Sequence, residues 1–436
     1  MIKFEHLREE AIETLKLNES GGFTKPSLGL YPYQWNWDSA VIALGLSNFD
    51  IAAAQTEIRS LLKGQWRDGM VPHIIFHKVD PNYFPGPEFW QTNEAPNAPE
   101  ILTSGITQPP LLASMVRKIH LRHPMLDFVR EVYPKLLRWH RWMHVDRDAD
   151  GSGLVSLVHP WESGTDDAPR WLSVMEGIKP VNLPPYKRVD NLRIDPSQRP
   201  NESDYDRFIY LVDIFRKRKY DSQAILRDSP FLVQDVLFNS ILYRADLDLR
   251  ALAEILGEPI DEIDGWMHKM KQSFQERFWD EERGLYFDYD LRNQHRIEVN
   301  SVFTFTPMYA GLCSKQQAQR MITDHWQNQQ EYGIGKKLVY QATTLSMSES
   351  TWEPRRYWRG PVWIIMNWLL LQGFNQYGFS EIAEDLRQSS IKLMTKSGFC
   401  EYYDPIDGTG CGTTSFSWPA AITLEILKQE EFKVQR

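Results

Sequence analysis

Apolar residues recur three and four positions apart in about a dozen separate stretches of this chain, and they seldom alternate one by one. That period lines up one face of an α-helix, whereas strict alternation would line up one face of a strand. Residues 49–66 (FDIAAAQTEIRSLLKGQW, with Asp50 near its start), 127–145, 232–255 and 260–278 carry it over several turns. It also runs through 3–16, 38–47, 108–121, 205–219, 315–328, 361–377, 380–395 and 418–430. Strand-like runs are short and lie near HIIFH and GLYFDY, and nothing alternates strand with helix as a doubly wound sheet requires. An all-α chain of this kind is expected to close into an (α/α)6 barrel, an inner ring of helices sheathed by an outer one. A superhelical solenoid is the alternative, but no repeat period supports it.

Two irregular stretches, 67–107 and 155–204, are rich in Pro and Asn and are expected to form lids or walls of a site. No Gly/Ser-rich or charged linker divides the chain, which predicts one domain over 1–436. The opening MIKFEHLREEAIETLKL mixes charged and apolar residues as an amphipathic helix does and lacks a signal-peptide core. No window approaches the roughly 18 apolar residues of a membrane span. The net charge of −9 argues against nucleic acid and anionic membrane as partners. Cys313, Cys400 and Cys411 have neither disulfide nor metal spacing, so a reducing cytoplasm is the expected setting. The sequence leaves the oligomeric state open.

Aromatic content is high, with 16 Trp, 18 Tyr and 21 Phe. Many of these rings sit beside polar residues in loops, as in YPYQWNWDS and RRYWRGPVW. Flat rings stack on the C–H faces of a sugar while neighbouring polar groups meet its hydroxyls, so sugar binding is one reading of this composition. Two acidic segments suit chemistry on such a ligand. In WESGTDDAPRW, Glu162, Asp166 and Asp167 share a loop with Trp161, Trp171 and Arg170. The plain reading is a polar loop with Asp166 or Asp167 capping a helix that begins near Pro169. The catalytic reading makes one of them a general acid, which requires an upward pKa shift of roughly two units from burial or a neighbouring carboxylate. In SGFCEYYDPIDGTGCGTTSFSW, Glu401 follows a helix end, with Asp404 and Asp407 placed to make turns. Two carboxyls in different environments, one on each side of a sugar, are what glycosidic cleavage requires.

These segments resemble glycoside hydrolase family 63. WESGTDDAPRW is similar to that family's W-x-S-G-x-D-[DN]-x-P-R pattern. YPYQWNWDSAVIALGL, GQWRDGMVPHIIFH, TSGITQPP, RRYWRGPVWIIMNWLL and EYYDPIDGTGCG–FSW follow in the family's order. The chain is about the size of the family's compact members that hydrolyse glucosylglycerate and mannosylglycerate. The resemblance implies an inverting α-glycosidase without metal or other cofactor, acting on a small α-glucoside such as glucosylglycerate. Asp166 matches the general acid and Glu401 the general base, with carboxyls roughly 6.5–9.5 Å apart to admit a water. Tyr31, Trp35, Asp38, Gln108, Tyr357, Trp358 and Trp363 match walls of the sugar pocket, while Trp37 is as readily a packing residue. Tyr83 lies where a gating residue is expected. Arg199 and Tyr205 lie in a stretch that resembles the one holding glycerate, and a planar guanidinium suits its carboxylate. The plainer and preferred reading of Arg199 is an ion pair with Glu202 or Asp204. Asp167 stands where the family often has Asn, and Arg170 is the cation expected to offset its charge.

Other signals carry less. DRDADGSGL begins like a calcium loop, but its twelfth position is Leu157, where a bidentate Glu belongs. His73 and His77, and His140 and His144, are each four apart but lack a third ligand, so packing roles are expected. No Walker or dinucleotide fingerprint is present. The rivals to hydrolysis are a sugar epimerase, which would need paired histidines at the barrel mouth, and a non-catalytic sugar-binding protein, which would need no opposed acids.

Overall fold

The computed structural model describes residues 2–434. Among them, α1 (Ile2–Asn18), α3 (Ile51–Lys63), α5 (Leu126–Asp146), α7 (Asp261–Phe278), α9 (Lys315–Arg320) and α11 (Ser380–Ser397) alternate along the chain with a second set. That set is α2 (Asn36–Leu46), α4 (Leu112–Arg122), α6 (Val236–Leu256), α8 (Thr306–Ala310), α10 (Ile364–Gln376) and α12 (Ser417–Val434). Members of the second set pack in sequence, α2 on α4, α4 on α6 and so on, until α12 returns to α2. The ring is therefore closed, and the expected (α/α)6 barrel is observed. No helix among the described residues is long and apolar enough to cross a membrane.

Residue choice explains which helices go inside. Every residue of α2 is buried, as is almost all of α10, and both are apolar around their circumference. By contrast, α3 buries only one side, including Ala54, Ile58, Leu61 and Leu62, and Asp50 caps it by accepting from the Ala53 N–H. Close approach inside the ring requires small residues. A Cβ on Gly45 of α2 would lie 2.5 Å from Cβ of Ala421 in α12, and one on Gly373 of α10 would lie 2.7 Å from the Tyr309 backbone nitrogen in α8.

Connection lengths then fix the site. Each of the first five inner helices is joined to the following outer one by three or four residues. Each outer helix reaches the next inner one through a long segment: 19–35, 64–111, 147–235, 279–305, 327–363 or 398–416. All six long segments therefore gather at one end of the barrel, where the inner helices present their N-termini and the positive ends of their dipoles. Short antiparallel pairings knit them together. Gln34–Trp35 pairs with Ile74–Ile75, and Ser156–Leu157, Val233–Gln234, Asp288–Asp290 and His295–Ile297 form a four-stranded sheet.

Three expectations change. Residues 205–219 are helical, as Glu202–Lys217, but lie within a long connection and outside the ring. Their place in the ring is taken by α8, five residues beginning Thr306-Pro307, too short to display a period. The expected helix 315–328 is α-helical only to Arg320 and continues as a π-helix over Met321–Trp326, whose Trp326 packs on Phe305 and Phe374.

Candidate active site

The long connections enclose a cavity of about 110 Å³, space for several waters. Asp166 and Glu401 both line it, although 235 residues separate them (401 − 166). Tyr31, Trp35, Asp38, Tyr83, Gln108, Arg199, Tyr205, Tyr357 and Trp363 line it too. Trp358 does not. It stacks flat on the back of Trp363, with centroids 3.8 Å apart, and packs near Trp37 and Phe303 as a second layer of the wall.

The three acids of the 157–171 segment have three different fates. Glu162 is buried against Arg147, at 2.8 and 3.0 Å, and also accepts from the Val158 and Thr107 N–H groups. It braces the segment. Asp167 is gripped by Arg359 through two bonds of 2.7 and 2.9 Å. The cation expected to offset it, Arg170, is committed elsewhere. It is buried between Asp235 and Asp288 and donates to the Thr165 hydroxyl. Asp166 makes no ion pair among the described residues, and its nearest recorded partner is the Tyr357 hydroxyl at 3.5 Å. Neither Asp166 nor Asp167 caps a helix, because the turn Pro169–Trp171 takes Ala168 at its N-cap position.

Gly164 allows this bend. Its φ of +71° lies in the left-handed region, and a Cβ there would strike the Trp37 ring at 2.6 Å. Burial raises the Asp166 carboxyl to about 7; Arg199 opposes the rise, and Asp167 and Glu401 add to it. At neutral pH such a group can still donate a proton, which an ordinary aspartate cannot.

Glu401 enters from the hairpin of Tyr402–Tyr403 with Gly410–Cys411. Its Oε1 accepts from the Tyr31 hydroxyl at 2.6 Å and lies 3.5 Å from Arg199, while Oε2 accepts from the Thr413 N–H at 3.1 Å. Burial raises its pKa above the ordinary value, and these three neighbours limit the rise. Asp404 and Asp407 make turns as expected, accepting from the Ile406 and Thr409 N–H groups, and both pair with Arg355. Asp38, in the first turn of α2, is raised to about 8, chiefly by burial. Gln108 lies just before α4 and accepts from the Trp37 N–H, and Trp363 is the N-cap residue of α10.

Arg199 pairs with neither Glu202 nor Asp204. Its guanidinium touches Asp190 at 3.4 Å, the Tyr31 hydroxyl at 3.2 Å and Glu401, over the Tyr357 ring. Glu202 goes to Arg188, and Asp204 to Arg207 and Arg359. Tyr205 donates to the Phe84 carbonyl, with Arg188 over its ring. The cavity also takes in Asp190, His73, Phe84, Trp161, Phe416 and Trp418. Trp161 and Trp418 lie in the quoted motifs, but nothing local in the sequence marks Asp190. His73 was expected to pack, and it does stack near Trp161, yet it also faces the cavity.

Among the described residues no three His, Cys, Asp or Glu side chains are grouped to hold a metal. In DRDADGSGL, Asp148 and Asp150 pair with Lys269 and Arg277 of α7. His140 and His144 flank the buried Asp246 at 2.7 and 2.9 Å, a packed cluster between α5 and α6.

Comparison with known proteins places this geometry. The family model described as the mannosylglycerate hydrolase MGH1-like glycoside hydrolase domain matches residues 31–419, from the first cavity tyrosine into the start of α12. The chain belongs to this family. It is a glycoside hydrolase. A mannosylglycerate hydrolase of Thermus thermophilus is 44% identical over 422 residues, covering 95% of this chain and 99% of the relative. A glucosylglycerate hydrolase of Mycolicibacterium hassiacum is 34% identical, covering 97% of each. The crystal structure of a family 63 mannosylglycerate hydrolase from Thermus thermophilus, in complex with Tris and D-glycerate, superposes with a TM-score of 0.90 at 42% identity, covering 97% of this chain and all of that one. As an MGH1-like hydrolase, the chain carries its acids at the barrel end where the long connections converge.

Proposed function

We propose that this MGH1-like hydrolase cleaves an α-hexosyl glycerate with inversion, with Asp166 as general acid and Glu401 as general base. One observation carries the assignment. Of the three acids in its segment, Asp166 alone is left unclaimed by a cation, and it shares a solvent-sized cavity with Glu401. A protonated Asp166 gives its proton to the departing glycosidic oxygen. Glu401, whose carboxylate form Tyr31, Arg199 and the Thr413 N–H favour against the effect of burial, takes a proton from water attacking the opposite face. Asp38 is placed to bind hydroxyls of the hexose and Trp35 to pack against its ring, while Trp363, stacked between Trp358 and Tyr402, offers only its edge. Four acids line the cavity (Asp38, Asp166, Asp190 and Glu401) against a single histidine, His73, which favours hydrolysis over epimerisation.

Arg199 is the proposed reader of the aglycone carboxylate. Its replacement by Ala is expected to slow all substrates, because it also touches Glu401, and to raise KM at least tenfold more for a glycerate-bearing glycoside than for an uncharged one. Equal KM changes on both would remove Arg199 from aglycone recognition. Glucosylglycerate and mannosylglycerate are both candidates, and the higher identity to the mannosylglycerate hydrolase, 44% against 34%, favours including the mannoside first. The proposal treats the whole chain as one catalytic unit, since α12 closes the ring against α1 and α2. It places the enzyme in the cytoplasm, consistent with three unpaired cysteines.

A further inference from the structure

The turn Arg355–Gly360 touches both members of the Asp166–Asp167 pair. Arg359 holds Asp167 through two bonds, and both side chains are buried. Two residues earlier, the Tyr357 hydroxyl lies 3.5 Å from Asp166. Tyr357 has a φ of +35°, a left-handed backbone that a tyrosine keeps only when its surroundings over-determine it. Its hydrogen-bonded context supplies that constraint: the Arg359 N–H donates to the Arg356 carbonyl, and the Trp363 indole N–H donates to the Tyr357 carbonyl.

We infer that Asp167 and Arg359 form a positioning pair that fixes Asp166 and Tyr357 against each other and sets the field in which the acid works. The inference rests on the reading of Asp166 as general acid. Asp167 alone would place a negative charge beside Asp166; Arg359 offsets it locally while leaving Asp166 without an ion-pair partner among the described residues. Other charged groups around the pair are accounted for. From the same turn, Arg356 lies 3.5 Å from Asp167, its other end on Glu353. From the helix Glu202–Lys217, Asp204 meets Arg359 at 3.4 Å and is itself paired with Arg207. Arg199, from its connection, and Glu401, from its hairpin, act on Asp166 across the cavity, and the Tyr402 ring feels Asp167. Arg170 is committed to Asp235 and Asp288.

The pair makes predictions of opposite sign for the basic limb of the kcat/KM–pH profile, which reports loss of the proton from the acid. Asp167→Asn removes the neighbouring negative charge and leaves Arg359 in excess, so the limb moves to lower pH by about half to one unit. Arg359→Gln uncovers Asp167, so the limb moves to higher pH by a similar amount, with a fall in kcat. The double variant returns the limb to its wild-type position. Arg359→Lys keeps the charge and loses the two-bond grip, so kcat falls while the limb stays. Should Arg359→Gln not fold, Asp167→Asn and Arg359→Lys decide the matter alone. Limbs that stay fixed, or move the same way in both single variants, overturn the pairing. If Asp166→Asn is inactive and the limbs do not respond, only this inference fails. If Asp166→Asn keeps its turnover, the reading of the acid fails first.

Discussion

Replacing Asp166 by Asn should do two opposite things at once, and the structure sets the size of each. The folded protein holds this carboxyl at about 7 against an ordinary 3.8, mainly because burial disfavours its charge. A difference of about three pKa units corresponds to roughly 4 kcal/mol, and water entering through the cavity mouth should reduce this to about 1–3 kcal/mol. Because the folded value is the raised one, the folded state binds the extra proton between about pH 4 and pH 7. The stability this gives is fully present below pH 4 and lost as pH rises through 7. Asn cannot ionise, so Asp166→Asn should match the wild type near pH 4 and exceed it by about 1–3 °C in Tm at pH 8.5, at about 1 °C per kcal/mol for a chain this long. Turnover should fall on the order of 10²-fold or more in the same protein. Thermal melts across pH 4–8.5, run beside initial rates on an α-hexosyl glycerate, measure both. A Tm difference that is constant with pH, or a variant less stable than the wild type at pH 8.5, would refute the burial argument. Near-wild-type turnover would remove Asp166 from the chemistry.

Other perturbations have equally definite signs. Tyr31→Phe deletes the 2.6 Å donor to Glu401, one of the groups that lowers its pKa, so the acidic limb of kcat/KM should move to higher pH by about half to one unit. An unmoved limb would mean that Tyr31 does not tune the base. Arg170→Met leaves Asp235 and Asp288 facing each other in the core, and denaturant unfolding should register a loss of about 3–5 kcal/mol; a loss below 1 kcal/mol would contradict the assignment. Gly45→Ala should cost about 1–3 kcal/mol by forcing α2 from α12, whereas Gly265→Ala on α7, with nothing within 4 Å of the new Cβ, should be neutral or stabilising. Equal effects at the two sites would show that helix proximity in the inner ring is not what selects Gly45.

What the sequence revealed and what it hid have physical reasons. Long helices announce themselves by period, so eleven of the ring's twelve were legible, from 3–16 to 418–430. The twelfth, α8, has five residues and cannot display a period of 3.6. Asp166 and Glu401 were found through motifs whose residue order is local. Their partners were not, because electrostatic pairing is decided by the fold. Arg170 is close to Asp167 in sequence, yet it turns to Asp235 and Asp288, while Asp167 is met by Arg359 from 192 residues away. Arg199 likewise ignores nearby Glu202 for Glu401. Trp358 and Trp363 share one motif, but stacking lets only the front ring reach the cavity. Asp190 carries no local signal, and His73, although inside a quoted motif, reads there as a packing residue; only the convergence of the long connections brings both to the cavity.

The central claim is that Glu401 directs water to the face of the sugar opposite the oxygen protonated by Asp166. Time-resolved proton NMR of the hexose released from an α-hexosyl glycerate, read before mutarotation, tests it. The β-anomer should appear first and relax towards equilibrium. First appearance of the α-anomer would contradict the account.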